Sequence, residues 1–257
     1  MSLKITIVGL TDIGQRRSRN EDSLGIRSEF GIAVVADGMG GHPHGDLASS
    51  LATQTVTERL VEFAKSDSDT SGSIDAMAQA LLSAHEGIRT SIEENPKLDG
   101  MGTTAVTMLI DPSSESYTLG HAGDSRAYLF RDGELTQLTT DDTWVQERLD
   151  ANHLTAEQAS GHPLGHMITQ CLGLENRPDP HVSEGNLIAG DIYVLCSDGL
   201  TGALADENIS EILHGTLGPN PNPQDAEAAV KDIVDAANHA GGHDNITVAL
   251  LVVTNKN

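Results

Sequence analysis

Residues 32–47 read IAVVADGMGGHPHGDL. Five consecutive apolar residues, Ile32 to Ala36, have the length and composition of a buried strand. The run ends on a carboxylate, Asp37, with glycines and two histidines directly behind it. A charged group at the rim of a hydrophobic core is costly unless something there binds it. The same grammar recurs elsewhere. Asp198 follows the apolar run Ile192 to Cys196, Asp124 sits between two strand-like runs beside Gly123, and Asp244 immediately precedes the run that begins at Ile246. Carboxylates drawn together repel and raise one another's pKa unless a multivalent cation holds them. An oxygen-only ligand set favours hard ions such as Mg²⁺ or Mn²⁺. A glycine beside such a ligand lets a backbone carbonyl approach the ion as well. Asp132-Gly133, flanked by Arg131 and Glu134, is the counterexample: a hairpin turn signal with no chemistry assigned.

Outward from these positions, short β-rich runs alternate with a few helical blocks. Strands are expected at Lys4–Leu10, Leu24–Ser28, Gly31–Ala36, Ala105–Ile110, Ser116–His121, Ala127–Arg131, Glu134–Leu138, Asp191–Cys196 and Ile246–Val253. Helical periodicity marks Leu47–Lys65, capped by Asp46 with Leu47, Leu51, Leu60, Val61 and Ala64 on its apolar face, and Ile74–Glu94, with Ile74, Met77, Leu81, His85, Ile88 and Ile92 on one face. His85 on that stripe reads as a satisfied core histidine. Shorter helices are expected at Trp144–Ala151, Ala156–Ser160, Asp206–His214 and Gln224–His239, the last stopped by Gly241-Gly242. Antiparallel-type strands with helices grouped in pairs point to an α+β fold of two packed sheets covered by helices, not to a βαβ parallel sheet. Residues 139–173 interrupt the strands with short helices and His/Gly/Pro punctuation, as a mobile insertion over a site does.

Composition bounds the function. The chain has 257 residues, enough for one large domain, and no stretch resembles a linker. Its 15 Lys+Arg against 38 Asp+Glu give a formal charge of −23, which argues against nucleic-acid and anionic-membrane partners. Any phosphate-bearing partner must meet local cations or bound metal. Ile5–Leu10 is too short for a membrane span or a secretory signal, and two cysteines make no disulfide framework, so a reduced cytoplasm is the expected setting. In a chain so poor in positive charge, GQRRSRNEDS, residues 14–23, sets three arginines within four residues and follows them with Asn20, Glu21 and Asp22. This pattern fits an arginine that grips a phosphate bidentately beside acids that hold a cation or its water.

Taken in order, GQRRSRNEDS (14–23), VVADGMGGHPHGDLAS (34–49), MGTTAV (101–106), GHAGDSRAY (120–128), LTTDDT (138–143), HPLGHMITQCLG (162–173), CSDGL (196–200) and GGHDNITV (241–248) resemble the metal-dependent protein phosphatases of type 2C in their compact bacterial form. The resemblance runs from about Thr11 to Val253. It implies a four-layer αββα sandwich, a single catalytic domain over residues 1–257 with a flap around 139–173, and hydrolysis of phosphoserine and phosphothreonine by a hydroxide that bridges two Mn²⁺ or Mg²⁺ ions. Residue by residue, it implies that Asp37 bridges the ions, that Asp198 and Asp244 complete one, and that Glu21 and the carbonyl of Gly38 serve the other. Asp124, with Asp198, matches a weaker third site. Asp22 matches an acid near the metal-bound waters, and Arg17 the phosphate-binding arginine. His42 is assigned the proton for the leaving oxygen by analogy of role, with His44 or water as alternatives. Phosphorylated proteins, among them a Ser/Thr kinase and its targets, are the implied partners of a monomeric enzyme. Two departures fall in the flap: Asp141-Asp142-Thr143 stands where many relatives have Asp-His-Ser or Asp-His-Thr, and Gly165 and Gln170 stand where arginine is common.

Three other readings compete. His42-Pro43-His44-Gly45-Asp46 fits the H-x-H-x-D opening of metallo-β-lactamase-like dinuclear zinc hydrolases, although Leu47 stands where that motif continues with histidine. A phosphatase-like regulatory module without metals is the non-catalytic rival, but all the acidic ligand positions are filled. Mononucleotide binding by the glycines around Met39 lacks the Gly-Lys-Ser/Thr of a phosphate loop, and Pro43 breaks the glycine pattern.

Overall fold

The computed structural model of the chain describes residues 3–39, 44–66, 72–218 and 221–256. Strands β1 (Leu3–Asp12), β2 (Asp22–Arg27) and β3 (Ile32–Asp37) lead into helices α1 (Gly45–Lys65) and α2 (Ser73–Glu94). Strands β4 (Ala105–Asp111), β5 (Ser116–Ala122), β6 (Arg126–Arg131) and β7 (Glu134–Gln137) precede the short helices α3 (Trp144–Asp150) and α4 (Ala156–Ala159). The chain finishes with β8 (His181–Asn186), β9 (Ile192–Cys196), α5 (Asp198–Thr201), α6 (Asp206–Thr216), α7 (Pro223–His239) and β10 (Ile246–Asn255). The strands form two five-stranded sheets, ordered β1-β10-β9-β6-β7 and β2-β3-β4-β5-β8, and every pairing is antiparallel.

The uninterrupted apolar run at residues 32–36 has a direct cause. Successive side chains of a strand leave on opposite faces, and here both faces are covered. Ile32, Val34 and Ala36 pack with Ala48, Ala52, Val56 and Leu60 of α1 and Met77, Leu81 and Ile88 of α2. Ala33 and Val35 point the other way, into a core shared with Tyr193 and Leu195 of β9 and Ala249 and Leu251 of β10. On β9 and β10 the alternate residues Ile192, Val194, Val248 and Leu250 meet Ile209, Leu213, Ile233 and Val234 of α6 and α7. Three apolar layers therefore separate four structural ones, and the expected αββα sandwich is what the packing produces.

Several local expectations need correction. The apolar face of α1 centres on the Ala48, Ala52, Val56, Leu60 stripe, with the expected Leu51 and Val61 packed at its edge, while Leu47 and Ala64 are exposed. Small alanines let the helix lie close to β3, and Gly25 of β2 sits under Thr53 and Thr57. Asp46 does not cap α1. The cap position is His44, in the left-handed region at φ 70° and without a side-chain cap bond, and Asp46 instead pairs with Arg19 at 3.1 Å. Ile74 is 40% exposed, whereas Met77, Leu81, His85, Ile88 and Ile92 are buried. His85 is a satisfied core histidine, as expected: its Nδ1 accepts from the Gly173 amide at 3.1 Å. Asp132 and Gly133, at φ 53° and 84°, make the tight turn between β6 and β7. Strand β8 and helix α5 have no counterpart in the sequence-based expectations.

Candidate metal centre and active site

The acidic residues converge because of strand register. Asp22 opens β2 and Asp37 closes β3, and the two are paired directly across the ladder. Asp198 begins α5 at the end of β9, and Asp244 lies two residues before β10, the strand that pairs with β9. Four chain segments thus end at one rim of the sandwich. There a cavity of about 750 Å³ is lined by Arg17, Glu21, Asp37, Gly38, Asp124, Asp198 and Asp244, together with Met39, Thr104, His166, Ile168, Leu174 and His243. Every candidate metal ligand lines this cavity, as does Arg17.

Neutral hydrogen bonds hold the segments in place. Asn245 receives the Glu21 amide on Oδ1 at 2.8 Å and donates through Nδ2 to the carbonyls of Ile13 and Arg19 at 2.9 and 3.0 Å. The Gly38 amide donates to the Glu21 carbonyl at 3.1 Å, and Ser49 Oγ donates to that same carbonyl at 2.6 Å. The Thr104 amide and Thr103 Oγ1 both donate to the Asp37 carbonyl. Close approach accounts for the glycines that follow the acids. A Cβ on Gly38 would lie 2.3 Å from the Gly45 carbonyl oxygen, and one on Gly199 would lie 1.9 Å from that of Asn245.

The electrostatics are those of a cation site. Asp37 is held well above the usual carboxylate range by burial and then by the charges of Asp22, Asp198 and Asp124. Burial lifts Asp22 to about 6, although Oδ2 accepts from Thr247 Oγ1 at 2.6 Å and Ser197 Oγ at 2.7 Å. Burial, then repulsion from Asp198 and Asp141, lifts Asp124 to about 7. Asp198 is raised by burial as well. Oδ1 of Asp22 is buried without a hydrogen-bond partner. A cluster of desolvated, mutually repelling oxygen donors fits divalent cations, and hard ones by donor type.

Arg17 lies at the same rim, but its Nη2 donates to Asp244 Oδ2 at 2.6 Å. Both side chains are more than a third exposed, so the pair is a solvent-screened contact that a ligand can exchange. Asp22 is not among the residues that line the cavity; it is the cross-strand neighbour of Asp37. His42 lies outside the described residues. His44 is exposed at the start of α1 and does not line the cavity, whereas His166 and His243 do. Those two were not singled out from sequence, although His243 adjoins Asp244 and His166 lies within the HPLGHM stretch. With Asp46 tied to Arg19, the H-x-H-x-D stretch does not contribute Asp46 or His44 to the cavity, which removes the structural support for the zinc-hydrolase reading.

The flap departures touch one another. Gln170 Nε2 donates to Asp142 Oδ2 at 3.0 Å, and Gln170 also makes a reciprocal pair of bonds with the backbone of Asp179. Asp141 receives Arg126 bidentately, with Nε 2.9 Å from Oδ1 and Nη2 2.7 Å from Oδ2.

Comparison with known proteins agrees with this geometry. The family model described as Protein phosphatase 2C matches residues 14–235. The serine/threonine protein phosphatase PstP of Mycobacterium tuberculosis is 37% identical over 254 residues, covering 97% of this chain and 45% of PstP, so the chain spans about half the length of that relative. Protein phosphatase PhpP of Streptococcus pneumoniae is 35% identical over 245 residues, covering 94% of this chain and 95% of PhpP. Among solved structures, the catalytic domain of PstP in complex with two manganese ions superposes with a TM-score of 0.83 at 33% identity, covering 99% of this chain and 100% of that one. Register, cavity, donor set and sequence kinship lead to one conclusion: the chain belongs to the protein phosphatase 2C family.

Proposed function

We propose that the chain is a Mn²⁺- or Mg²⁺-dependent protein serine/threonine phosphatase acting at the strand-end cavity. The observation that carries the proposal is the meeting of Glu21, Asp37, Gly38, Asp198 and Asp244 with Arg17 in one cavity. In this reading Asp37 is the shared ligand, Asp198 and Asp244 serve one ion, Glu21 and the Gly38 carbonyl serve the other, and Asp124 with Asp198 offers a weaker third position. Bound divalent cations supply Lewis-acid polarisation of the phosphoryl group and a water nucleophile at neutral pH.

The chain's own residues do the rest. Arg17 exchanges Asp244 for the non-bridging phosphate oxygens and holds them as charge moves toward the leaving group. Asp22, fixed by Ser197 and Thr247, orients water behind Asp37. The departing serine or threonine oxygen takes its proton from His42 by analogy of role, from His166 or His243, which line the cavity, or from water. The substrates are phosphoproteins, with a Ser/Thr kinase and its targets as the narrower expectation, and the enzyme works as a monomer in the cytoplasm. Among the described residues, no helix is long and apolar enough to cross a membrane.

The test is hydrolysis of p-nitrophenyl phosphate and of a phosphothreonine peptide with Mn²⁺, Mg²⁺, Zn²⁺ or EDTA, for the wild type and Asp37→Asn. Turnover is expected with Mn²⁺ or Mg²⁺ and is expected to fall roughly a hundredfold or more in Asp37→Asn. Activity at wild-type level in EDTA or in Asp37→Asn would refute the mechanism. Alanine at His42, His166 and His243 in turn identifies the proton donor, as the variant that loses kcat with KM kept.

A further inference from the structure

A second constellation of metal-binding side chains lies away from the carboxylate cavity. His121 on β5 and His181 on the edge strand β8 are direct register partners, and their rings stack with centroids 4.9 Å apart and planes 22° apart. Asp142, from the segment between β7 and α3, reaches the same place, with its Oδ1 2.9 Å from His181 Nε2. One ligand atom from each of the three lies within 4.8 Å of the others.

Two of the three, His121 and Asp142, are oriented from outside the cluster, as metal ligands are. His121 Nε2 donates to the Thr140 carbonyl at 2.9 Å. A carbonyl can only accept, so this bond fixes the proton on one ring nitrogen and leaves the other with its lone pair. Asp142 Oδ2 accepts from the Gly123 amide at 2.8 Å and from Gln170 Nε2 at 3.0 Å, which directs Oδ1 to the histidines. The main chain of Asp142 is tied as well: its amide donates to the Gly123 carbonyl, and its carbonyl accepts from the Thr169 amide. His121 is buried and its protonation is suppressed by that burial, which keeps the neutral, ligating form. His181 is half exposed, so the side facing solvent is open to an entering ion.

We propose that His121, Asp142 and His181 form a binding site for an imidazole-seeking divalent cation of the zinc type, separate from the catalytic ions. Two nitrogens and one oxygen make a borderline-soft set that favours Zn²⁺, Ni²⁺ or Cu²⁺ over Mg²⁺, the reverse of the all-oxygen cavity. Three protein ligands leave a fourth position for water. The ion would join β5, β8 and the root of the flap, and it would do so one residue from Asp124 through the two Gly123–Asp142 bonds. Bound there, it stiffens the flap root from outside the reaction site.

The probe is Zn²⁺ alone, titrated calorimetrically into the full chain in the Asp37→Asn background with excess Mg²⁺, so that the carboxylate cavity does not compete. One Zn²⁺ equivalent is expected, and His181→Ala in the same background is expected to lose it while keeping the circular dichroism spectrum. Co²⁺ replacing Zn²⁺ is expected to show the visible d–d bands of a low-coordinate nitrogen-ligated site, absent from the alanine variant. In the otherwise wild-type chain, His181→Ala leaves basal Mg²⁺-dependent turnover unchanged. No Zn²⁺ uptake by the Asp37→Asn chain, or uptake that His181→Ala leaves unaltered, overturns the proposal and makes the three residues a hydrogen-bonded staple.

Discussion

Arg17 and Gly38 show how single residues set this site. Arg17 rests on Asp244, so removing its side chain takes away the proposed phosphate ligand and also releases a carboxylate. Because that carboxylate is a third exposed, its release costs little, and the loss is expected mainly in binding. Arg17→Ala should raise KM for a phosphothreonine peptide about tenfold or more with a smaller change in kcat, as steady-state kinetics will read. Gly38 is a packing requirement before it is a ligand. A methyl there would meet two carbonyl oxygens at 2.3 and 2.5 Å, neither of them movable without shifting α1 or the Glu21 turn. Gly38→Ala should lower stability by about 1–3 kcal/mol in urea melts even without metal; an unchanged midpoint would show that the backbone yields there. Much of this was legible in sequence, since an acid after an apolar run, followed by glycine, announces a strand end that backs onto something. Which atoms close around Gly38 was not, because the Gly45 and Glu21 carbonyls belong to other turns.

At the scale of elements, continuous apolar runs betrayed their strands because both faces are buried, and β3, β9 and β10 were placed to within two residues. β8 escaped for the opposite reason. His181–Asn186 is an edge strand whose residues are mostly exposed, and its polar sequence carries no periodic signal. The face of α1 was only partly legible: Leu60 is in the core and Leu51 and Val61 pack against it, but the Ala48, Ala52, Val56 stripe was hidden because alanines are weak signals beside leucines. Helix α2 and the end of the flap meet at His85, whose Nδ1 accepts from the Gly173 amide. Burial, then Arg89 and to a lesser degree Arg177, lowers its pKa against an opposing contribution from Glu86. A histidine depressed in the folded state stabilises above its unfolded pKa of about 6.5 and loses that contribution as pH falls through that value toward the folded pKa. Wild-type stability should therefore decline on acidification below about pH 6.5, and His85→Leu should lack this part of the decline while losing about 1–3 kcal/mol at pH 8 for the orphaned Gly173 amide. The flap departures form a coupled pair, Asp142 with Gln170. Gly165→Arg with Gln170→Arg should lower KM for a phosphopeptide several-fold relative to p-nitrophenyl phosphate; identical KM values would mean that the flap does not meet the peptide.

The whole molecule carries a formal charge of −23 and concentrates buried carboxylates where its two sheets end. Without cations the folded state must hold Asp22, Asp37, Asp124 and Asp198 desolvated and close, and all four have raised pKa values as a result. The unfolded chain bears no such penalty, because water solvates each acid separately. Divalent cations held by the proposed ligands have no preformed site in the unfolded chain, so they should stabilise by mass action: about 2.7 kcal/mol at a hundred times Kd, or roughly 5–10 °C in Tm at 2–4 °C per kcal/mol for a chain of this size. Zwitterionic buffer with EDTA against 5 mM-scale Mn²⁺ or Mg²⁺, followed by thermal melts, measures the shift. Asp37→Asn separates the two causes. It removes the most encircled charge, so the metal-free variant should melt above metal-free wild type, and it removes the proposed shared ligand, so the cation-induced rise should largely vanish. A variant that melts lower without metal yet keeps the full rise would show that Asp37 is a structural acid and that the cations are held elsewhere along the rim.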